Sequence, residues 1–468
     1  MQIPIINGIY TDESSDFRTS YPRNLIPVPK SQGISNGYLR PAAGIQEFGT
    51  VDLPGIVRGG INWNNELYRV AGTKLVKIND SGSYVTIGDV GGSDQVTFDY
   101  GPNYLAIASN NNLFLYDGSL LQQVNDADLG KVLDVVWVDG YFMTTDGEFL
   151  IVTELTDSFS VDPLKYGSSE ADPDVIQALL KLRNEIYVAN RHTIEVFDNT
   201  GGSGFPFERI EGAQIEKGVI GTHACCIYME SVAFVGNGFN ESPSVYMGRN
   251  GNAVPIATRE IDQILKNYTE EQLSNVLCES KVDNKHEHLL IHLPDQTLVY
   301  DGPASRVVGQ PVWFTLTSSI LGLGQYRAKN HVWCYDRWTI GDTLSAKQGE
   351  LVNTVSSHFN KLNGWDFSTV FIYNNSKGAI VHSLELVALT GRVSADDNPV
   401  IWTSYSLDGE TYSQEKSINA GKRGDRSQRL QWRQQGTMRN FRNQKFRGTS
   451  DSHVSFVRLE VELEPLYV

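Results

Sequence analysis

One short pattern recurs seven times between residues 60 and 350: an apolar strand, a tight polar turn, a second apolar strand. The copies begin at Asn65 (NELYRVAGTKLVKI), Asn103, Asp139, Arg183, Glu230, His286 and, more loosely, Asn330, so their starts lie 38, 36, 44, 47, 56 and 44 residues apart. A hairpin returning about every 40–50 residues is the mark of β-propeller blades. A single hairpin cannot bury both its faces, so the copies must pack on one another around an axis. The alternation has period two, with Leu67, Arg69 and Ala71 opposed to Tyr68 and Val70. That period belongs to strands and not to helices. The expected fold is all-β, a propeller of six or seven blades.

Composition fits and also excludes. Gly is frequent at 43 residues, as many tight turns require, and apolar residues make up 40 % of the 468. The formal net charge of −16 argues against a protein that coats nucleic acid over its whole surface. No apolar run approaches the ~18 residues needed to cross a bilayer, so no membrane insertion is expected. The N-terminus MQIPIINGIYTDESS has neither a basic start nor an apolar stretch, and so does not read as a secretory signal. Cys225 and Cys226 are adjacent while Cys278 and Cys334 are distant. That spacing suits neither a disulfide framework nor a zinc site, and the expectation is four reduced thiols in a chain made in a cytoplasm.

Three further regions break the repeat. Residues 1–55 hold many turn-formers and little periodicity, and read as an ordered strap with Tyr21, Leu25, Ile26, Tyr38 and Leu39 as apolar anchors. Their expected disposition is split, with Tyr38, Leu39 and Ile45 leading into the first blade and residues 1–30 reaching outward. The propeller is expected over 56–365. Within it, residues 258–275 place Ile261, Ile264, Leu265 and Tyr268 at helical spacing, and Thr269 with Gln272 fits the capping box of a second short helix. From 379 to 468 the strands change character and read as a separate C-terminal β-sandwich. Residues 422–447 in that region carry nine basic side chains and one acid, a local +8 that leaves −24 on the rest.

Candidate chemistry is sparse. His286, His288 and His292 fall on one face of a strand, which could hold a metal, but the spacing leaves a gap at Leu290 and dictates no acidic or cysteine partner. Hydrogen-bonded histidines within a blade are the simpler reading. Ser404–Tyr412 (SYSLDGETY) is similar to the aspartate-box hairpins of sialidase-like propellers, lacking one residue between Asp and Gly. Asp-Gly is a hairpin turn in its own right, so its role is structural. No nucleophile elbow, phosphate loop or dinucleotide fingerprint occurs, so neither catalysis nor a cofactor is expected. Trp432, Phe441 and Phe446 interleave with the basic residues Arg423, Arg426, Arg429, Arg433, Arg439, Arg442 and Lys445. Such a segment could stack on nucleic acid, face a protein partner, or simply be the solvated face of a sheet. In an acidic chain, the protein partner is favoured.

Three stretches resemble a known family. Tyr21-Pro22-Arg23-Asn24-Leu25 with Pro29-Lys30, Asn36-Gly37-Tyr38-Leu39-Arg40 and Gly44-Ile45 form the first. Pro243-Ser244-Val245-Tyr246, Pro255-Ile256-Ala257-Thr258, Ile261, Tyr268-Thr269, His288 to Pro294 and Leu298 to Asp301 form the second, which is the most specific. Asp408-Gly409, Tyr412, Trp432-Arg433, Gly436 and Arg439 form the third. Together they are similar to the tail-hub, or packaged-DNA-stabilisation, proteins of short-tailed bacteriophages of the Salmonella lambdoid type. The match is weak over 303–380 and sparse in the last 90 residues.

The resemblance implies a virion protein without enzymatic chemistry, assembled in the bacterial host cytoplasm. About six copies would form a ring beneath the portal and its adaptor proteins, close the channel after packaging, and carry the tailspikes and the tail needle. Packaged DNA would be met by proximity only. Tyr21, Leu25, Tyr38 and the seven basic residues are the expected protein-interface positions. Two other classes compete: a propeller-type glycan-cleaving enzyme, marked by converging carboxylates on the axis, and a monomeric carbohydrate- or protein-binding module, marked by a lone cleft.

Overall fold

The computed structural model describes residues 1–466 apart from 13–15, 31–32, 170–173, 203, 376, 394–398 and 452. Seven antiparallel sheets follow one another along the chain. Blade one comprises Val57–Trp63, Glu66–Ala71, Lys74–Ile78 and Tyr84–Asp89, paired in sequence order. Blades two to six start at Thr97, Asp134, Ile176, Gly218 and Leu277 and repeat this meander. The first strands of neighbouring blades touch in turn, blade five through Cys225–Tyr228, and that of blade seven, Ala328–Cys334, touches that of blade one. The ring is therefore closed, with seven blades.

The alternation in the sequence explains what glues the ring. In blade one, Leu67 and Ala71 join Val332 and Cys334 of blade seven in one apolar cluster. Tyr68 and Val70, pointing the other way, join Leu105 and Ile107 of blade two in another. Both faces of a blade are thus buried, as stacking demands. Arg69 lies on the face turned to blade seven and is wholly buried. It donates to the carbonyl oxygen of Asn330 and to Thr339 Oγ1, each at 2.9 Å, so its charge is met by polar atoms of the neighbouring blade. The hairpin turns use side chains that tolerate left-handed backbone, with positive φ at Asn64 and Asn65, Asn110 and Asn111, and Asn284 and Lys285. Two such residues in succession make the turn whose twist matches paired strands.

Blade seven differs. Its own strands are Ala328–Cys334, Arg337–Asp342 and Gln348–Val352, and the fourth is Gly44–Glu47 from the N-terminal region. Ile45 pairs opposite Leu351 and is 1 % exposed. Ile45 therefore does not lead into the first blade as expected; it closes the last one. The loose seventh copy of the repeat now has a cause. The hairpin at Asn330 joins the first and second strands of its blade, whereas the other six copies join the second and third.

The expectation of a strap reaching outward is corrected as well. Leu25–Pro29 and Gly37–Pro41 form a hairpin in a sheet ordered with Ser455–Pro465, Ala379–Leu389 and Leu430–Arg433, and Gln2–Ile3 pairs with Ser455–Pro465. The facing sheet contains Gly364–Ser368, Phe441–Thr449, Val400–Ser406 and Lys416–Asn419. Ile3, Leu25 and Leu39 lie in the core between them beside Trp365, Phe367, Trp432, Phe446 and Phe456. Backbone N–H and C=O groups without periodic structure of their own must pair somewhere, and an open sheet edge offered the partners. The sandwich accordingly begins at Gly364 and borrows its edge from the start of the chain.

Between the two bodies runs Pro22-Arg23-Asn24. The Asn24 N–H donates to the Thr315 carbonyl at 2.8 Å and the Arg23 N–H to the Asp366 carbonyl at 2.9 Å. The Asn24 carboxamide donates to the carbonyls of Thr317 (2.9 Å) and Gly364 (2.7 Å), while its oxygen accepts from the Thr317 N–H (2.9 Å). The part of the first resemblance motif around Asn24 is the joint between propeller and sandwich.

The two helices expected over 258–275 are present: α1 (Arg259–Lys266) and α2 (Glu270–Ser274), the latter with the Thr269–Gln272 capping box. A third, α3 (Gly302–Val308), was not anticipated, although Asp301 before Gly-Pro and Gly309 after the last turn are ordinary start and stop signals. Strap residues clasp α1: the Thr19 N–H donates to Glu260 at 3.1 Å, and Arg18 and Tyr21 bond Gln263 and Thr258. All four cysteines are free thiols.

Candidate interaction surfaces and buried polar clusters

The basic segment runs through sandwich strands and the turns between them. Trp432 and Phe446 turn inward to the core, whereas Arg423, Arg426, Arg429, Arg433 and Arg439 are exposed. At Trp432 and Arg433 the aromatic and basic side chains are the two faces of one strand read in order, whereas Arg423, Arg426, Arg429 and Arg439 lie in the connections between strands. Leu430–Arg433 is an edge strand of its sheet, where outward charges also discourage pairing with another edge. Arg429 forms a two-point contact with Glu385, its Nε at 2.7 Å from Oε1. Among the described residues, Arg423, Arg426, Arg433 and Arg439 form no ion pair.

Five expected interface positions lie elsewhere. Arg442 is fully buried, donating to the Gln435 carbonyl (2.6 Å) and to Gln444 Oε1 (2.9 Å from Nη2), with its guanidinium 3.8 Å from the centre of the Tyr405 ring. Burial pushes it down to about 10. It cannot face a partner, because a flat cation stacked on one ring and bonded to internal acceptors is already satisfied. Leu25 is 0 % exposed in the sandwich core. Tyr21 is half-buried against α1, where burial pushes its phenol up. Lys445 is half-buried with its amine above the Tyr412 ring. Tyr38 is half-buried under Lys30 and helps line a groove of about 550 Å³ with Ile34, Leu389 and Val457.

An apolar surface that sequence reading missed sits at the joint. Ile320, Leu321 and Leu323, in a loop after blade six, are 50–63 % exposed, and Leu362 lies close by in the chain's path to the sandwich at 48 %. No periodicity marks such a loop, so the only sequence signal was apolar residues between serines and glycines.

The three histidines part company. His292 Nε2 lies 2.8 Å from Oε2 of Glu279, on the adjacent strand of blade six, and Nδ1 of His331, from blade seven, lies 2.9 Å from the same oxygen. Glu279 Oε1 accepts the His331 backbone N–H at 2.8 Å. Burial works against the Glu279 carboxylate, but its charge interaction with His331 and the bonds from both rings hold it well below the usual range. Both oxygens are thus consumed in a strut between blades six and seven. His286 and His288 instead face Asp301, on the adjacent strand Thr297–Asp301. Neither acid was anticipated, since each meets the rings only through pairing across strands.

On the axis, a cavity of about 520 Å³ is lined by Arg58, Asp94, Gln95, Asn110, His223 and Lys329 among others. It holds no pair of converging carboxylates among the described residues. The Asp408 hairpin is internally closed, its carboxylate accepting from Ser406 Oγ (2.8 Å) and the N–H groups of Glu410 and Thr411 (3.0 and 2.9 Å). That is the structural turn expected of it.

Residues 1–356 match a family model described as Bacteriophage P22 Gp10, beta-propeller, and residues 364–464 match a second described as Bacteriophage P22 Gp10, beta-sandwich. The tail hub protein gp10 of Salmonella phage P22 is 29 % identical over 486 aligned positions, covering 99 % of each chain. Among solved structures, the WD40 domain of Neurospora crassa Pan2 aligns with 66 % of this chain and 95 % of its own at 8 % identity and a TM-score of 0.43. The N-terminal domain of Nup159 aligns with 70 % of this chain and 98 % of its own at 9 % identity and a TM-score of 0.41.

Proposed function

The chain belongs to the Bacteriophage P22 Gp10 family, and from that membership we propose that it is the hub of a short phage tail, closing the portal–adaptor channel after packaging and holding the genome in the head. In this reading about six copies form a ring, which mounts the tailspikes and the tail needle in the virion. The observation that carries it is the end-to-end match to a tail hub protein, with both domains in the same order.

The architecture suits the task. A plug under outward pressure has to resist deformation and dissociate slowly. A ring closed by its own N-terminal strand and joined to the sandwich through Asn24 is one stiff body rather than two modules on a linker. The strap's anchors are spent inside the chain, so the outward contacts have to come from other surfaces. The apolar loop of Ile320, Leu321 and Leu323 fits the neighbouring copy, since permanent interfaces are the more apolar ones. The exposed arginines of the sandwich fit an acidic partner such as the tailspike mount. The excess of acid elsewhere would repel phosphate and keep DNA moving during ejection.

The test is to fill heads with DNA in the absence of this chain, add it back, and measure nuclease-resistant genome. Retention restored by the chain, and a ring of density beneath the adaptor, are expected. Heads that retain DNA equally well without it would overturn the proposal.

A further inference from the structure

We propose that His286, His288 and Asp301 form a binding site for one divalent transition-metal ion of the zinc class in blade six. His286 and His288 are two apart on strand His286–His292 and therefore share a face, and Asp301 pairs directly opposite His288. One ring nitrogen of each histidine and one Asp301 carboxylate oxygen lie within 4.8 Å of one another. Two imidazoles and a carboxylate are a donor set that zinc-class ions take, with water completing the shell.

The decisive observation is the state of His288. Its Nε2 is buried and has no hydrogen-bond partner, yet it points at Asp301 Oδ2 from 3.5 Å. A buried ring nitrogen left unpaired is costly. Three donors each about 2 Å from a common ion stand roughly 3.3 Å apart in a tetrahedron, so that separation is one a metal would impose. The supports are already in place. Asp301 Oδ1 is held by the N–H of Ala304 at the start of α3 (3.1 Å), and Oδ2 meets His286 Nδ1 and His288 Nε2, the two contacts that an ion between them would replace. The His288 ring is braced edge-on against Phe314, with centroids 5.3 Å apart. Outer contacts of this kind fix ligand orientation. His286 retains 13 % side-chain exposure, which supplies an entry path and an open position for water.

The charges around the site permit a cation. Lys281 lies opposite His288 and Asp283 opposite His286, and Asp283 is paired with Arg40 at 2.6 Å.

The experiment uses the full chain, stripped with a chelator and dialysed against Zn²⁺, with bound metal counted by elemental analysis. Co²⁺ serves as a visible probe of the ligand field. One ion per chain, a tetrahedral-type cobalt spectrum and a raised Tm with Zn²⁺ are expected. His286→Ala, at a partly exposed position, should keep the fold and weaken binding by more than the roughly 10- to 100-fold that an outer-shell loss costs. Asp301→Asn should do the same, and His292→Gln should leave binding intact. Binding of less than one ion, or unchanged binding in His286→Ala, would overturn the site. Loss of the ion in His292→Gln alone would also overturn it by placing the metal at Glu279.

Discussion

The carboxamide nitrogen of Asn24 lies 2.7 Å from the carbonyl oxygen of Gly364, 340 residues further along the chain. The same nitrogen reaches Thr317, the residue after the last strand of blade six, so one buried side chain joins the end of that blade to the first strand of the sandwich.

Asn24→Ala should therefore uncouple the domains. Removing the side chain leaves the Thr317 N–H and two carbonyls without this partner, at a cost of about 1–3 kcal/mol for each group left unsatisfied. Calorimetry of the wild type should show one transition and that of the variant two. A single transition at the original temperature would show that the joint is held elsewhere.

Closure of the ring should depend on Ile45. Ile45→Ala opens a gap between blade seven and its outer strand and should cost about 2–5 kcal/mol. Amide exchange should quicken first in Gln348–Val352, the strand to which Gly44–Glu47 is paired. Uniform quickening over all seven blades would argue against a local seam.

The basic segment should divide into two behaviours. Arg433→Glu with Arg439→Glu changes exposed side chains and should leave the unfolding free energy within about 0.5 kcal/mol of wild type. Attachment of the acidic partner should weaken and lose much of its salt dependence. Arg442→Ala removes a buried cation from Gln435 and Gln444 and should cost on the order of 3 kcal/mol while leaving those acceptors unpaired. Equal stability of the two variants would contradict the burial of Arg442.

Stability should fall on acidification from about pH 6.5. Burial pushes His223 down to about 4 and His358 to about 3, below the ordinary 6.5. The unfolded chain then takes up protons at these rings while the folded chain does not, so each removes about 1.4 kcal/mol per pH unit as pH falls. Asp134 acts in the opposite sense. Burial raises it from 3.8 to about 7, so the folded chain binds its proton first and gains stability between pH 7 and 3.8. Two rings outweigh one carboxyl, and the depressed Glu279 adds a further loss as pH falls below 4.5. Asp134→Asn should steepen the decline in Tm between pH 6.5 and 4.5, and His358→Gln should flatten it. A Tm that is constant or rises over that range would refute this account.

Much was legible without coordinates because it is local. Two-residue periodicity in Leu67–Ala71 announces a strand buried on both faces, Thr269 with Gln272 announces a helix start, and Asp408-Gly409 announces a turn. Each depends only on residues within a few positions of one another, where spacing alone dictates geometry. What tertiary structure decided was pairing at a distance. Nothing near Ile45 says that it will lie beside Leu351, nothing near Leu25 says that a strand of the C-terminal sheet will cover it, and nothing in the spacing of three histidines says that Asp301 will take two and Glu279 the third. An open sheet edge accepts any extended segment, because backbone hydrogen bonds carry no residue identity. Which segment arrives is settled only when the whole ring closes and its faces are buried together.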